Sequence, residues 1–252
     1  MNKIRYALLI GINYKNTDFP LSGCWNDVDE INKFLLSKNF INIIMKDDDP
    51  LISDLYPTKD NITKQFQNIL AKSPDHIFLY FSGHGGQLFD FNKDEKDKKD
   101  ECIWVYNSSN QVISFSDDQM REIFVDKLES KTFLTSVFDS CHSESILDLE
   151  LRYKFMKNKP LFDIITKKKS LKNVISISGC QDHDYSGETI INGKVRGILT
   201  FYLLKTLNEY KSSFPIENIF RSVCQQIKSS KLSLQVPQFC LTKPILRTNN
   251  LL

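Results

Sequence analysis

The sequence predicts an α/β protein whose mostly parallel central sheet is flanked by helices on both faces. Two observations carry the prediction. Ile77–Phe81 and Thr132–Phe138 are short runs rich in apolar and β-branched residues, the pattern of strands buried inside a sheet. Each run then empties into a compact polar or reactive group. The first ends in Ser82-Gly83-His84-Gly85-Gly86, the second in Asp139-Ser140-Cys141-His142-Ser143. Ligands of open α/β sheets bind at the carboxyl edge of the strands. If the two strands are parallel neighbours, His84 and Cys141 emerge on one edge, and the chain between them is long enough for a crossover connection.

The other elements follow in order. Arg5–Ile12 reads as the first strand. A helix is expected from about Asn26 to Ser37, with Val28, Ile31, Phe34 and Leu35 on one face. Asn26 is its expected cap, and Asp27 sits near its positive end. Ile41–Met45 reads as a strand, and Asp47-Asp48-Asp49 as a solvated loop. A second helix is expected over Asp60–Ala71. Beyond Gln87 the chain turns polar and charged (FDFNKDEKDKKDEC) and reads as a loop. Cys102–Tyr106 and Gln111–Phe115 predict a hairpin, and Gln119–Leu128 a helix started by Asp117-Asp118. Glu150–Lys172 is lysine-rich and reads as a solvated linker. Asn173–Ser178 is the next strand. Asn192-Gly193 marks a hairpin. Helices near Ile198–Tyr210 and Ile216–Ser229 and a last strand over Gln235–Leu241 complete the chain.

The 252 residues suffice for one large α/β domain or two small ones. A hydrophobic fraction of 41%, a charged fraction of 25% and a net charge of +2 are ordinary for a globular protein. They give no drive towards nucleic acid or membrane. No apolar run approaches the roughly 20 residues of a membrane span. The apolar stretch at the start is short and lacks a small-residue cleavage site, so it reads as a strand rather than a signal peptide. The six cysteines form no CxxC pair. This argues against zinc and for a reducing, cytoplasmic setting.

A thiol with an imidazole in reach is a nucleophile with its base. Cys141 is the candidate nucleophile and His84 the general base and acid. Backbone N–H groups near Gly85 and Cys141 are the natural oxyanion hole. Neighbouring residues of an extended segment point to opposite sides, so His142 is not the expected base, whereas Asp139 shares a side with Cys141.

At these residues the chain resembles the metacaspases, cysteine peptidases of the caspase-like fold. The matching segments are ALLIGINY (Ala7–Tyr14), LSGCWNDV (Leu21–Val28), YFSGHGGQ (Tyr80–Gln87), FDSCHSESILD (Phe138–Asp148), ISISGCQD (Ile175–Asp182) and VPQ (Val236–Gln238). They occur in the family's order across almost the whole chain. The resemblance implies a caspase-like three-layer sandwich in one domain. Residues 1–150 would form its large part, 151–172 a basic linker and 173–252 its small part. The chain is expected to be a type I-like core without a prodomain, and a monomer.

The resemblance also implies site residues. Asp27 and Asp139, with Ser82 and Cys24, would line the pocket for a P1 Arg or Lys. Two carboxylates suit a guanidinium and repel the Asp that caspases select. Calcium would be held by Asp100, Asp117, Asp118 and Asp148, although no EF-hand pattern is present. Self-cleavage in the linker would fall among Lys167, Lys168 and Lys169. Where family members commonly carry Gln, this chain has Asp184, a departure at a position that the resemblance assigns to the pocket wall. Two other readings stand beside a calcium-activated peptidase with protein or peptide substrates: a silent scaffold of the same fold, and a calcium-independent cysteine hydrolase with a different P1 choice.

Overall fold

The structure is a computed structural model, and it describes residues 3–89, 99–141, 143, 145–155, 160–180, 187–210, 215–232 and 235–244. The strands are β1 (Arg5–Gly11), β2 (Ile41–Lys46), β3 (His76–Ser82), β4 (Gly85–Phe89), β5 (Lys99–Tyr106), β6 (Val112–Ser116) and β7 (Phe133–Asp139). They continue with β8 (Leu151–Phe155), β9 (Pro160–Ile164), β10 (Asn173–Ser178), β11 (Glu188–Ile191), β12 (Lys194–Gly197) and β13 (Gln238–Leu241). The helices are α1 (Cys24–Leu36), α2 (Lys59–Leu70), α3 (Asp117–Arg121), α4 (Ile198–Glu209) and α5 (Ile216–Ser230).

The main sheet has eight strands in the order β2-β1-β3-β7-β10-β13-β8-β9. The pairings from β2 through β10 are parallel, and those from β10 to β9 antiparallel. Successive side chains of a strand face opposite sides, so a strand covered on both faces must be apolar throughout. In β1, Ala7 and Leu9 enter one core with Val28, Ile31, Leu203 and Phe220, from α1, α4 and α5. Leu8 and Ile10 enter the other core with Ile62 and Phe66 of α2 and Met120 of α3. The three-layer α/β architecture expected from the sequence is therefore the one observed. No helix among the described residues is long and apolar enough to cross a membrane.

Several local expectations are corrected. The lysine-rich segment is not simply a solvated linker, because β8 and β9 form a hairpin that extends the sheet at its edge. Leu151 and Tyr153 alternate with Arg152 and Lys154 and are buried, a period-two pattern that the lysine count obscured. Asp163 of β9 pairs with both Arg152 and Lys154. The helix that Asp117-Asp118 were expected to start does begin at Asp117, but it becomes a π-helical turn over Glu122–Asp126 in place of an α-helix to Leu128. Gln119 Oε1 accepts from Ser116 N at 3.4 Å, in a capping box that fixes this start. The polar stretch after Gln87 is entered by β4, which joins β5 and β6 in a separate three-stranded sheet. Asn26 does not cap α1. The helix begins at Cys24, and the Asn26 amide donates to Val195 O at 3.0 Å. His142, Asp184, Lys157, Lys159 and residues 90–98 lie outside the described residues.

Candidate active site

The sheet register builds the site. Gly11 of β1, Ser82 of β3 and Asp139 of β7 lie on one rung at the carboxyl edge. His84 and Cys141 therefore each stand two residues beyond the same rung. Both line a cleft of about 310 Å³ that also contains Asp27, Asp139, Ser82 and Cys24. All the residues expected for the dyad, its oxyanion hole and the acidic pocket are thus brought together.

Gly85 is where the two loops touch. A Cβ added there would fall 1.9 Å from the carbonyl oxygen of Cys141 and 3.2 Å from its nitrogen. Only a residue without a side chain allows this backbone approach.

Two contacts orient the imidazole of His84 and a third holds its backbone, none of them announced by the sequence. Its Nε2 lies 2.8 Å from the carbonyl oxygen of Phe19. A carbonyl can only accept, so Nε2 carries the proton and Nδ1 keeps its lone pair for chemistry. Tyr14 packs its ring against the imidazole at 4.7 Å between centroids. The Tyr14 hydroxyl accepts from His84 N at 3.0 Å and donates to Trp104 O at 2.6 Å. Burial raises the Tyr14 phenol well above its usual value, with the field of Cys24 adding to it, so the phenol keeps the proton that the second bond needs. Tyr14 itself is fixed by Asp47, whose carboxylate accepts from Asn13 N at 2.8 Å, Tyr14 N at 2.7 Å and Trp25 Nε1 at 2.7 Å. Asp47, expected to be solvated, instead braces the turn that carries Tyr14.

The acidic pair meets at Gly197. Its N–H donates to Asp27 Oδ1 and Oδ2 at 3.1 and 2.9 Å, and the Ser82 hydroxyl donates to Asp27 Oδ2 at 3.2 Å. Asp139 Oδ2 accepts from Thr200 N at 2.9 Å and Thr200 Oγ1 at 2.7 Å. A Cβ at Gly197 would fall 2.1 Å from Asp139 Oδ2 and 2.9 Å from Asp27 Oδ2, so both carboxylates converge on a point that only glycine leaves open. Burial, and then the neighbouring Asp139, raise the Asp27 carboxyl well above its usual range. A third carboxylate, Glu188, also lines the cleft. It accepts from Gly23 N at 2.8 Å at the start of α1, where the unpaired N–H groups of a helix favour an anion. Nothing in the local sequence marks Glu188, Gly197 or Thr200, since their partners lie more than a hundred residues away in two cases and sixty in the third.

None of the six cysteines is joined in a disulfide, and Cys141 is partly exposed. Burial pushes the Cys102 and Cys224 thiols up to about 12 and raises that of Cys24 well above its usual value. These three remain protonated near neutral pH and do not compete as nucleophiles.

A second cluster lies where β5 begins and α3 starts. Carboxylate oxygens of Asp100, Asp117 and Asp118 lie within 4.8 Å of one another. Asp148 joins them through Lys168, whose ammonium is 2.5 Å from Asp118 Oδ1 and 2.7 Å from Asp148 Oδ2. Burial, and then Asp148, push the Asp117 carboxyl up to about 9. Arg121 donates to the carbonyl of Asp148 and, at 3.3 and 3.5 Å, to those of Lys168 and Lys169. Ser145, between Cys141 and Asp148, donates to buried Glu101.

Fold comparison gives the class. The crystal structure of a Geobacter sulfurreducens protein aligns with a TM-score of 0.68 at 21% identity, over 96% of this chain and 95% of that one. Caspase-1 from Spodoptera frugiperda aligns with a TM-score of 0.60 at 12% identity, over 95% of this chain and 87% of that one. These likenesses define a caspase-like fold, here with a thiol and an imidazole in one cleft. The family model for the metacaspase peptidase C14 domain matches residues 5–150. Metacaspase-1 of Schizosaccharomyces pombe is 30% identical over 96% of this chain and 68% of its own length. The chain belongs to the metacaspase family.

Proposed function

We propose that this metacaspase is a calcium-activated endopeptidase that cleaves protein and peptide chains after Arg or Lys and cuts its own lysine-rich segment. The observation that carries the reading is the convergence of Asp27 and Asp139 in the cleft that Cys141 and His84 line. The guanidinium or ammonium of P1 enters between the two carboxylates, which sets the scissile carbonyl over Cys141. His84 Nδ1 takes the thiol proton and the thiolate attacks the carbonyl carbon. The oxyanion forms beside the N–H groups of Gly85 and Cys141, a contribution of about 10²–10³ per donor in comparable sites. As the C–N bond breaks, His84 returns the proton to the departing amine, a role worth roughly 10²–10⁴. Water activated by the same imidazole then hydrolyses the thioester. The Phe19 carbonyl holds the tautomer throughout and stabilises the imidazolium.

The acidic cluster fits calcium in its chemistry. Its donors are all carboxylate oxygens, the kind this hard cation takes six to eight of, and Asp117 resists ionisation without a counter-charge. Asp100, Asp117, Asp118 and Asp148 would hold the ion. Bound there, calcium would supply a fixed positive charge to these carboxylates. In the lysine-rich segment the side chains of Lys167 and Lys169 are exposed, which makes them the accessible self-cleavage residues, whereas that of Lys168 is held by the cluster.

The test is hydrolysis of fluorogenic peptides with P1 Arg, Lys or Asp, in calcium and in chelator. Arg and Lys peptides should be cut in calcium only. Cys141→Ala should abolish cleavage, and Asp139→Ala should lose the basic preference. Cleavage indifferent to P1 or to Cys141 would overturn the site assignment, and full activity in chelator would remove calcium from it.

A further inference from the structure

We infer that a second cavity lined by His84, next to the acidic pocket, binds a bulky apolar side chain from the leaving-group half of the substrate. The inference rests on the proposed cleavage site and deepens it. The cavity is about 600 Å³, and its walls include Tyr14, Phe19, Trp104 and Val112. It shares His84 and Gly85 with the acidic cleft but is not lined by Cys141, Asp27 or Asp139. His84 must give its proton to the departing nitrogen, so the residue that carries this nitrogen lies beside the imidazole. With P1 committed to the acidic side, the chain beyond the scissile bond runs past His84 into this second cavity.

Its chemistry selects the occupant. Phe19 is 72% exposed and Val112 38%, so the rim offers apolar surface that an apolar substrate side chain would take out of water. The floor is fixed, because Trp104 N donates to His84 O at 3.0 Å and Tyr14 is braced by Asp47. Among the described residues Asp18 is the one acid in the lining, and it disfavours acidic residues. The measurement uses quenched fluorescent peptides with P1 Arg fixed and P1′ and P2′ varied over Leu, Phe, Gly, Lys and Glu. Leu or Phe at one of the two positions should raise kcat/KM about tenfold over Gly and more over Glu, the scale of discrimination by an apolar pocket. Val112→Asp, at an exposed position, should erase that preference. Equal rates for all residues at both positions, or an unchanged preference in Val112→Asp, would overturn the inference and leave the P1 site standing. If no P1 Arg peptide is cut at all, both readings fall together.

A different observation carries a second inference. The geometry points to Lys168 as an internal cation that a divalent ion must displace. Its ammonium bridges Asp118 and Asp148, and its own carbonyl is held by Arg121, which also holds Asp148. An ion taking those oxygens would expel the lysine and loosen the flanking Lys167 and Lys169, the exposed self-cleavage candidates. Calorimetric titration with calcium on the Cys141→Ala protein, which cannot cut itself, tests this. Lys168→Met should bind at least about tenfold more tightly than the parent and gain more thermal stability on calcium addition, while Lys168→Arg should resemble the parent. Hydrogen exchange in residues 165–172 of the parent should rise with calcium. Equal calcium affinity in parent and Lys168→Met overturns the displacement, and no calcium binding by either overturns the metal reading with it.

Discussion

Gly85→Ala is expected to lower kcat/KM for a P1 Arg peptide by about a hundredfold or more while leaving the protein folded. The methyl group would lie 1.9 Å from the Cys141 carbonyl oxygen and 3.0 Å from its carbon. Contact between such atoms needs more than 3 Å, so one of the two backbones must retreat by over 1 Å. A misplacement of that size at reacting groups costs about 10² in rate, and here it moves the nucleophile and the oxyanion donors together. The strain is confined to the carboxyl edge of the sheet, because β3 and β7 stay paired from His76↔Phe133 to Ser82↔Asp139. Steady-state kinetics with a thermal melt checks both halves. A Gly85→Ala enzyme with near-native kcat/KM would mean that the chemistry does not happen at this contact.

The second large effect is on pH. Butylguanidinium, which has the charge of an arginine side chain and no scissile bond, is expected to bind more tightly as pH rises, by up to about tenfold per unit. Burial and the adjacent Asp139 raise the Asp27 carboxyl well above its usual range. The pocket of the free protein therefore holds a proton at pH values where an ordinary Asp is ionised. A guanidinium favours the carboxylate and expels that proton, so affinity climbs with pH and levels off above the raised value. A single linked proton sets the limiting slope. Asp27→Asn has no proton to release there and should flatten the profile while weakening binding overall. Competition against a fluorogenic substrate at several pH values gives the affinities. A flat profile in the parent, or the same slope in Asp27→Asn, would remove Asp27 from the pocket's titration. The same shift bears on stability. An acid whose folded value is raised opposes folding once the pH exceeds its unfolded value, so Asp27→Asn should stabilise the protein near neutral pH if the Gly197 bond survives.

Most of the fold was legible because burial on both faces leaves a local mark. Leu8 and Ile10 face one core, Ala7 and Leu9 the other, and a strand so placed reads as an apolar run whatever its neighbours. The helices were legible through their apolar faces, as with Val28, Ile31 and Leu35 of α1. The lysine-rich segment was misread because composition hid an alternation. LRYKF has the period of a strand, and its charges find Asp163 across the hairpin.

The sequence by itself determined the order of most elements, though not β4, β8 and β9, and that a thiol and an imidazole each follow a buried strand. It also determined the presence of the acids Asp27, Asp139, Asp100, Asp117, Asp118 and Asp148. The tertiary structure alone decided which of these meet and what holds them. The parallel register of Ser82 with Asp139 brings His84 and Cys141 to one level. The Phe19 carbonyl sets the imidazole tautomer, a role that no side chain announces because every residue has that oxygen. Gly197 keeps open the space between two carboxylates, and Lys168 enters the acidic cluster from a strand-edge segment fifty positions beyond Asp118. The physical reason is common to all of these. Periodicity and burial are properties of a few consecutive residues, whereas a hydrogen-bond partner, a close backbone approach or a counter-ion depends on what the fold carries in from far along the chain.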